Sequence, residues 1–163
     1  MTTIVATPKA IYADSYCNTT HPFGTTKLHL VKFKTEEYLV GGCGYLNELE
    51  FFARLLGEYG IEGMWRLHFG EHWPPKIMKS WDTDVLVVTR DKRIFMFDDS
   101  LVPISVNEPV YCIGSGGDWA KAYMDLVPDA TPEQSIEYAA KKDDNTRAPV
   151  HELKFPRRKK EAE

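Results

Sequence analysis

The chain has 163 residues and a net charge of -4. That length suits one domain with a sizeable core, the charge excludes a global basic field for nucleic acid, and the short apolar runs exclude a membrane-spanning helix. Three cysteines, Cys17, Cys43 and Cys112, form an odd set without a CxxC spacing; they read as reduced thiols of a cytoplasmic protein, with no secretory signal expected ahead of Thr2.

In chain order, residues 3–7 and 10–15 are β-rich runs joined at Pro8-Lys9. Ile4 alternates with Ala6 and Ile11 with Ala13, which predicts a hairpin with one buried face, ending at Asp14. Residues 18–26 are loop by composition. Lys27 to Phe33 reads as a strand, and Thr35-Glu36-Glu37 turns into Tyr38 to Cys43, where Gly41, Gly42 and Gly44 suggest close backbone approach rather than a robust strand interior. Leu46 to Tyr59 is a helix with Leu49, Phe52, Ala53 and Leu56 on one face, and Gly60 is its stop. Residues 61–82 hold Trp65, Trp73, Trp81, His68, His72 and Pro74-Pro75, and no regular helix interior accepts that proline pair.

Asp84–Thr89 and Arg93–Asp98 form a hairpin around Asp91-Lys92. Pro109 to Ile113 is a strand running into Gly114-Ser115-Gly116-Gly117. Asp118 is an expected N-cap for a helix through Leu126. Thr131-Pro132-Glu133-Gln134 combines N-cap, Pro at N1 and Gln at N3, and that helix is expected to run to about Asp143. Val150 to Phe155 is a last strand. The expected division is one domain over 1–155 and a charged, disordered tail over 156–163. The order of elements predicts an α+β fold with two sheets packed face to face between helical layers.

Thr2 carries the chemistry worth testing. A small residue at position 2 permits removal of the initiator Met, leaving an amine and a hydroxyl on one residue. A Thr hydroxyl needs a base within hydrogen-bond reach. An α-amine titrates at about 7.7–8.0, so part of it is neutral at working pH and can accept the proton.

Thr2-Thr3-Ile4-Val5, Ala13-Asp14-Ser15, Lys27-Leu28-His29 and Ile113-Gly114-Ser115-Gly116-Gly117 together resemble the N-terminal nucleophile (Ntn) hydrolases of the proteasome type: proteasome β subunits and, more closely, the bacterial HslV peptidase. The resemblance spans roughly residues 2–60 and 84–155. It implies a four-layer αββα sandwich. It also implies a threonine-type peptidase that hydrolyses peptide bonds through an acyl-enzyme. Thr2 then matches the nucleophile, Asp14 the aspartate that orients and charge-balances the site, and Lys27 the buried lysine beside the nucleophile. Gly44 matches the glycine whose N–H forms the oxyanion hole, and Ser115 the serine that hydrogen-bonds the α-amine. Asp143 and Thr146 match an Asp-x-x-Ser pair, with Thr replacing Ser. Cys17, Gly42 and Leu46 fall at positions lining the substrate pocket, where Gly42 implies a roomy one.

Taken alone, these residues have plainer readings. Asp14 could cap a hairpin turn, Lys27 could guard an edge strand, and Gly114 to Gly117 could be a strand-to-helix turn or an anion-binding helix start. His68 and His72 with Glu71 between them suggest an HxxEH metal site. That motif needs a helix to align both imidazoles, and Gly70 and Pro74-Pro75 argue against one; no metal and no cofactor are expected. Trp65, Trp73 and Trp81 read as packing or interface residues.

The chain departs from the family at two places. Arg147-Ala148 stands where a glycine pair is common, and residues 61–82 replace a second long helix with a shortened Trp- and Pro-rich segment. The resemblance implies a homo-oligomer that encloses its sites and takes unfolded polypeptide. It also implies a separate ATP-dependent unfoldase, since the chain has no nucleotide loop. The other class of function is a catalytically inactive proteasome-like protein acting in assembly or inhibition.

Overall fold

The structure is a computed structural model that describes residues 2–15, 27–68 and 81–157. Two antiparallel sheets form its centre. The first has four strands in the order β8-β1-β2-β9: β1 (Thr3–Thr7), β2 (Ala10–Ala13), β8 (Tyr111–Gly114) and β9 (His151–Lys154). The second has five strands in chain order: β3 (Leu28–Phe33), β4 (Glu36–Cys43), β5 (Asp84–Thr89), β6 (Ile94–Phe97) and β7 (Ile104–Val106). Helix α1 (Leu46–His68) covers the second sheet, and α2 (Gly117–Leu126) and α3 (Pro132–Ala139) cover the first. The result is the expected α+β architecture of four layers, helix, sheet, sheet, helix, in a single domain. No helix among the described residues is long and apolar enough to cross a membrane.

The hydrophobic effect sets this layering through three clusters. Ile4, Ala6, Ile11 and Ala13 from the first sheet meet Leu39, Leu86, Val88 and Ile94 from the second. Val40, Val85, Val87 and Phe97 on the opposite face of the second sheet take Leu49, Phe52, Leu56 and Met64 of α1. Phe52 meets Phe97 edge-on with centroids 4.8 Å apart, a favoured aromatic geometry. Val5, Ala10 and Tyr12 pack on Ala120, Ile136 and Ala139. The β1–β2 hairpin therefore has both faces buried, not one, because its sheet lies between another sheet and a helical layer.

Some elements differ from the sequence pattern. Gly41 and Gly42 lie inside β4, paired to β3 and β5, and close approach holds there too: a Cβ on Gly41 would come within 2.8 Å of Ile11 Cδ1. Gly60 does not end the helix. It breaks it with φ 67° and ψ 176°, and the chain resumes helical geometry to His68. A Cβ there would overlap the Phe33 ring at 2.6 Å, and Met64, fully buried, renews the core face beyond the kink. Part of the 61–82 segment is thus helical. Residues 69–80, with Trp73, His72, Glu71 and Pro74-Pro75, lie outside the described residues, as do Cys17 and 158–163 of the tail.

Trp81 is a core residue, 6% exposed, with its indole N–H donating to Thr83 O at 2.6 Å; Trp65 is 45% exposed. Asp118 does not cap α2. Gly116 holds the N-cap position without a side-chain bond, and Asp118 sits in the first turn. The Thr131–Gln134 capping box of α3 is present in both directions, but the helix ends at Ala139, since the chain turns there to bring Asp143 toward α2's start.

Candidate active site

Thr2 stands at the entrance to β1, a strand hydrogen-bonded on both sides, by β2 and β8, and is only 5% exposed. Opposite Thr3 on β8 is Gly114, with φ 93°. A Cβ on Gly114 would lie 2.7 Å from the carbonyl carbon of Thr2, and closer still to its oxygen. Only glycine serves here, for both backbone conformation and space. The same point lies 3.5 Å from Cys43 Cβ, so the end of β4, and Gly44 after it, comes up beside Thr2.

Gly44 has φ 137°, and a Cβ there would meet Asp82 O at 2.5 Å. The loop around it is clasped from one side. Thr83 Oγ1 accepts the Tyr45 N–H at 2.8 Å and donates to Glu48 at 2.6 Å, and Glu48 also accepts the Asp82 N–H at 3.1 Å. Glu48 is in the first turn of α1, where a carboxylate suits the positive end of the helix.

Asp14 and Lys27 form a buried ion pair, Nζ to Oδ1 at 2.9 Å, with side-chain exposures of 0% and 8%. A buried ammonium without a carboxylate would be strongly disfavoured. Asp14 Oδ1 also accepts the Thr3 N–H at 3.0 Å, Oδ2 accepts the Arg147 N–H at 3.0 Å, and the Asp14 N–H donates to Thr3 O at 3.1 Å. The plain readings of both residues fall away. The hairpin turn is at Pro8-Lys9, so Asp14 sits at the open end of the hairpin, and Lys27 is not an exposed edge residue.

A second network lies behind β1. Asp143 Oδ2 accepts two hydroxyls, Ser115 Oγ and Thr146 Oγ1, each at 2.6 Å. Burial alone would raise the Asp143 carboxyl, but the bonds from Ser115, Thr146 and Asn145 outweigh it and hold the group below its ordinary value. Thr146 Oγ1 is in turn 2.6 Å from Thr3 Oγ1. Gly116 leaves room for this pair: a Cβ there would lie 2.5 Å from Thr146 Oγ1 and closer to Thr3 Oγ1. At the Arg147-Ala148 departure both carbonyls are bound by Ser15, whose N–H donates to Arg147 O at 2.8 Å and whose hydroxyl donates to Ala148 O at 2.7 Å.

No family model matches the sequence, and no curated protein matches it. Solved structures do. Thiobacillus denitrificans BPH, in complex with epoxomicin, aligns with 93% of this chain and 96% of its own at TM-score 0.62 and 17% identity. Eukaryotic HslV from Trypanosoma brucei covers 94% and 99% at TM-score 0.61 and 14% identity. Anbu, an ancestral β-subunit, from Yersinia bercovieri covers 95% and 81% at TM-score 0.67 and 16% identity. This chain has the proteasome-type Ntn-hydrolase fold.

The proteasome-type fold thus gathers Thr2, Asp14, Lys27, Gly44, Ser115, Asp143 and Thr146 about the N-terminal end of β1. Of the expected pocket residues, Leu46 opens α1 and is half-buried. Gly42 does not leave an open space. A Cβ there would lie 2.6 Å from Leu49 Cδ1, so the room freed by the missing side chain is filled from α1. A cavity of about 710 Å³ lies elsewhere, lined by Tyr38, Ile61, Trp65, Arg90, Arg93 and Phe95, at the end of β4 remote from Gly44. The buried ion pair and the hydroxyl network instead converge at the start of β1, where both are bonded to Thr3.

Sequence reasoning missed Thr3, Thr83 and Gly116. Thr3 looks like any β-branched strand residue, and Thr83 acts on a loop far from it in sequence. Gly116 had a signal, being one of three glycines around Ser115, but its reason is the hydroxyl pair it accommodates. Cys43, 8% exposed, has its thiol pushed up to about 12 by burial, so it is protonated at neutral pH and no rival nucleophile.

Proposed function

We propose that the chain is a threonine-type peptidase that acts through Thr2 once Met1 has been removed. The observation that carries this reading is the Asp14 carboxylate, shared between the buried Lys27 ammonium and the N–H of Thr3, one residue from Thr2. The Lys27 charge disfavours a protonated amine on Thr2 and makes it a better base. The amine takes the hydroxyl proton as Thr2 Oγ1 attacks a peptide carbonyl. The Gly44 N–H stabilises the alkoxide, a contribution of about 3–4 kcal/mol at an oxyanion hole. The proton passes to the leaving amine, the C–N bond breaks, and an ester on Thr2 remains. Water, activated by the same amine, hydrolyses it. Ser115, held by Asp143, orients the amine.

On this reading the protomer works in a homo-oligomer that takes unfolded polypeptide, with a separate ATP-dependent unfoldase and a cytoplasmic location. Exposed Trp65 is a contact for that assembly, since large aromatic surfaces are favoured at interfaces. Light scattering that gives only monomer at micromolar concentration would remove the chamber from the proposal. A catalytically inactive proteasome-like protein acting in assembly or inhibition is favoured by one observation, the filling of the space behind Gly42 by Leu49.

Epoxomicin, the ligand of the BPH neighbour, separates the two. Chain prepared with Thr2 as first residue should gain the mass of epoxomicin and lose peptide hydrolysis. Chain that retains Met1 should do neither. Thr2-first protein that neither hydrolyses peptides nor takes up epoxomicin would decide for the inactive reading.

A further inference from the structure

The buried Thr3 links two networks by its side chain, beside the backbone link that the Arg147 N–H, next in the chain to Thr146, makes to Asp14 Oδ2. Thr3 is fully buried. Its N–H donates to Asp14 Oδ1 at 3.0 Å and its carbonyl accepts the Asp14 N–H at 3.1 Å, which ties it to the Lys27 ion pair. Its hydroxyl lies 2.6 Å from Thr146 Oγ1, which ties it to Asp143 and Ser115.

The direction of these bonds follows from donor counting. An ionised carboxylate only accepts, so both Ser115 and Thr146 spend their protons on Asp143 Oδ2. Thr146 then has only lone pairs to offer, and Thr3 is the donor between them. The line runs Thr3 to Thr146 to Asp143, with Ser115 arriving from the other side. Ser115, its proton committed, presents an acceptor. A chain of this kind is fully satisfied only while Thr3 supplies its first proton, and buried networks lose order when one member is missing. Gly116 adds independent support: its missing side chain is the space in which the two hydroxyls meet.

We propose that Thr3 is a positioning residue for the reaction at Thr2, its hydroxyl coupling the Lys27–Asp14 ion pair to the Ser115–Asp143–Thr146 network and so fixing the amine and hydroxyl of its neighbour. This rests on the peptidase reading above. A 1 Å misplacement of reacting groups costs on the order of 10²-fold in rate, so a residue that touches no substrate can still govern turnover. With Thr3 uncoupled, the start of β1 loses its tie to the Asp143 network; on the peptidase reading, in which the Lys27 charge disfavours a protonated amine, a loosened Thr2 amine feels that charge less.

The test uses full chain with Thr2 as first residue. Thr3→Val keeps the shape and removes the hydroxyl; Thr3→Ser keeps the hydroxyl and removes the methyl. The expected result for Thr3→Val is a kcat lower by about ten-fold or more at unchanged KM, with the acid limb of the pH profile moved to higher pH. Thr3→Ser should restore most of both. A Thr3→Val enzyme with wild-type kcat and pH profile would overturn the proposal, and so would a Thr3→Ser enzyme as impaired as Thr3→Val, since packing of the methyl would then be the cause.

If Thr3→Val does not fold, Gly116→Ala gives the second route. Gly116 has φ -92°, which alanine adopts freely, so its effect falls chiefly on the hydroxyl pair, with a lesser crowding of Ala139 Cβ at 3.2 Å; unchanged kinetics there would sink the coupling. Failure of the peptidase reading is recognised separately, by absent hydrolysis in wild type or full hydrolysis in Thr2→Ala. The Thr2 amine pKa, read by the pH dependence of its labelling with an amine reagent, still reports on Thr3 in that case. An upward shift in Thr3→Val that is reversed in Thr3→Ser supports the coupling, and no shift overturns it.

Discussion

Lys27 Nζ and the Arg147 N–H bind opposite oxygens of one carboxylate, Asp14, at 2.9 and 3.0 Å. The side chain thereby holds together the start of β3 and a turn near the end of the chain. Lys27→Ala removes the counter-charge from a buried carboxylate. It should cost about 3–5 kcal/mol of stability and abolish hydrolysis together. Asp14→Asn should cost less, because the amide oxygen still accepts an N–H. Urea denaturation measures the first quantity and peptide hydrolysis the second; a Lys27→Ala protein as stable as wild type would show that the pair contributes nothing net.

The nucleophile itself is tested by a graded pair. Thr2→Ala removes a hydroxyl and a methyl and should lower kcat by roughly 10³-fold or more, with fold and oligomer unchanged. Thr2→Ser keeps both hydroxyl and amine and should retain measurable activity. Circular dichroism and light scattering report the fold and assembly alongside the kinetics, and full activity in Thr2→Ala would mean that the chemistry lies elsewhere.

Gly114 is predicted to tolerate no substitution. Gly114→Ala combines a left-handed backbone at φ 93° with overlap on the Thr2 carbonyl, a penalty of about 3 kcal/mol or more. A melting temperature within a degree or two of wild type would contradict the close approach of β8 to Thr2.

The pH dependence of stability should carry the signature of Asp143. Burial acts to raise its carboxyl, and the hydroxyls of Ser115 and Thr146 overcome this and lower it. A lowered carboxylate contributes stability that is complete above its unfolded value of about 3.9 and is lost as pH falls through the lower folded value. Ser115→Ala removes part of the cause. Its melting-temperature deficit against wild type should be full at pH 7 and shrink below pH 4. A deficit that stays constant down to pH 3 would assign the bond no role in holding the carboxylate ionised.

Much of this was readable because local chemistry and tertiary context agree. The β1–β2 hairpin, the β5–β6 hairpin and the Thr131 capping box each carry their own turn or cap residues, and the structure has all three. The readings that missed did so where distant residues decide. Gly60 looks like a helix stop, and only the ring of Phe33 on its open side and the renewed burial at Met64 explain why the helix resumes. β7 is a three-residue edge strand, too short to show a period. Asp118 looks like a cap, but the position before α2 is taken by Gly116, chosen by the threonine hydroxyls behind it. For the same reason Thr3 was invisible as part of the site: its partners are 11 and 143 positions away.

β1 is an interior strand of its sheet, and its neighbour β8 and the outer strand β9 come from the last third of the chain. During synthesis β1 precedes these partners: it has only its hairpin partner until residues beyond 110 have emerged, and Asp14 and Thr3 lack Arg147 and Thr146 until those residues follow. Non-local pairing of this kind is slow to form. The start of β1 therefore acquires its surroundings only after residues 143–147 have been made. A chain cut before Asp143 would leave Thr3 and Ser115 without the partners that tie them together behind β1.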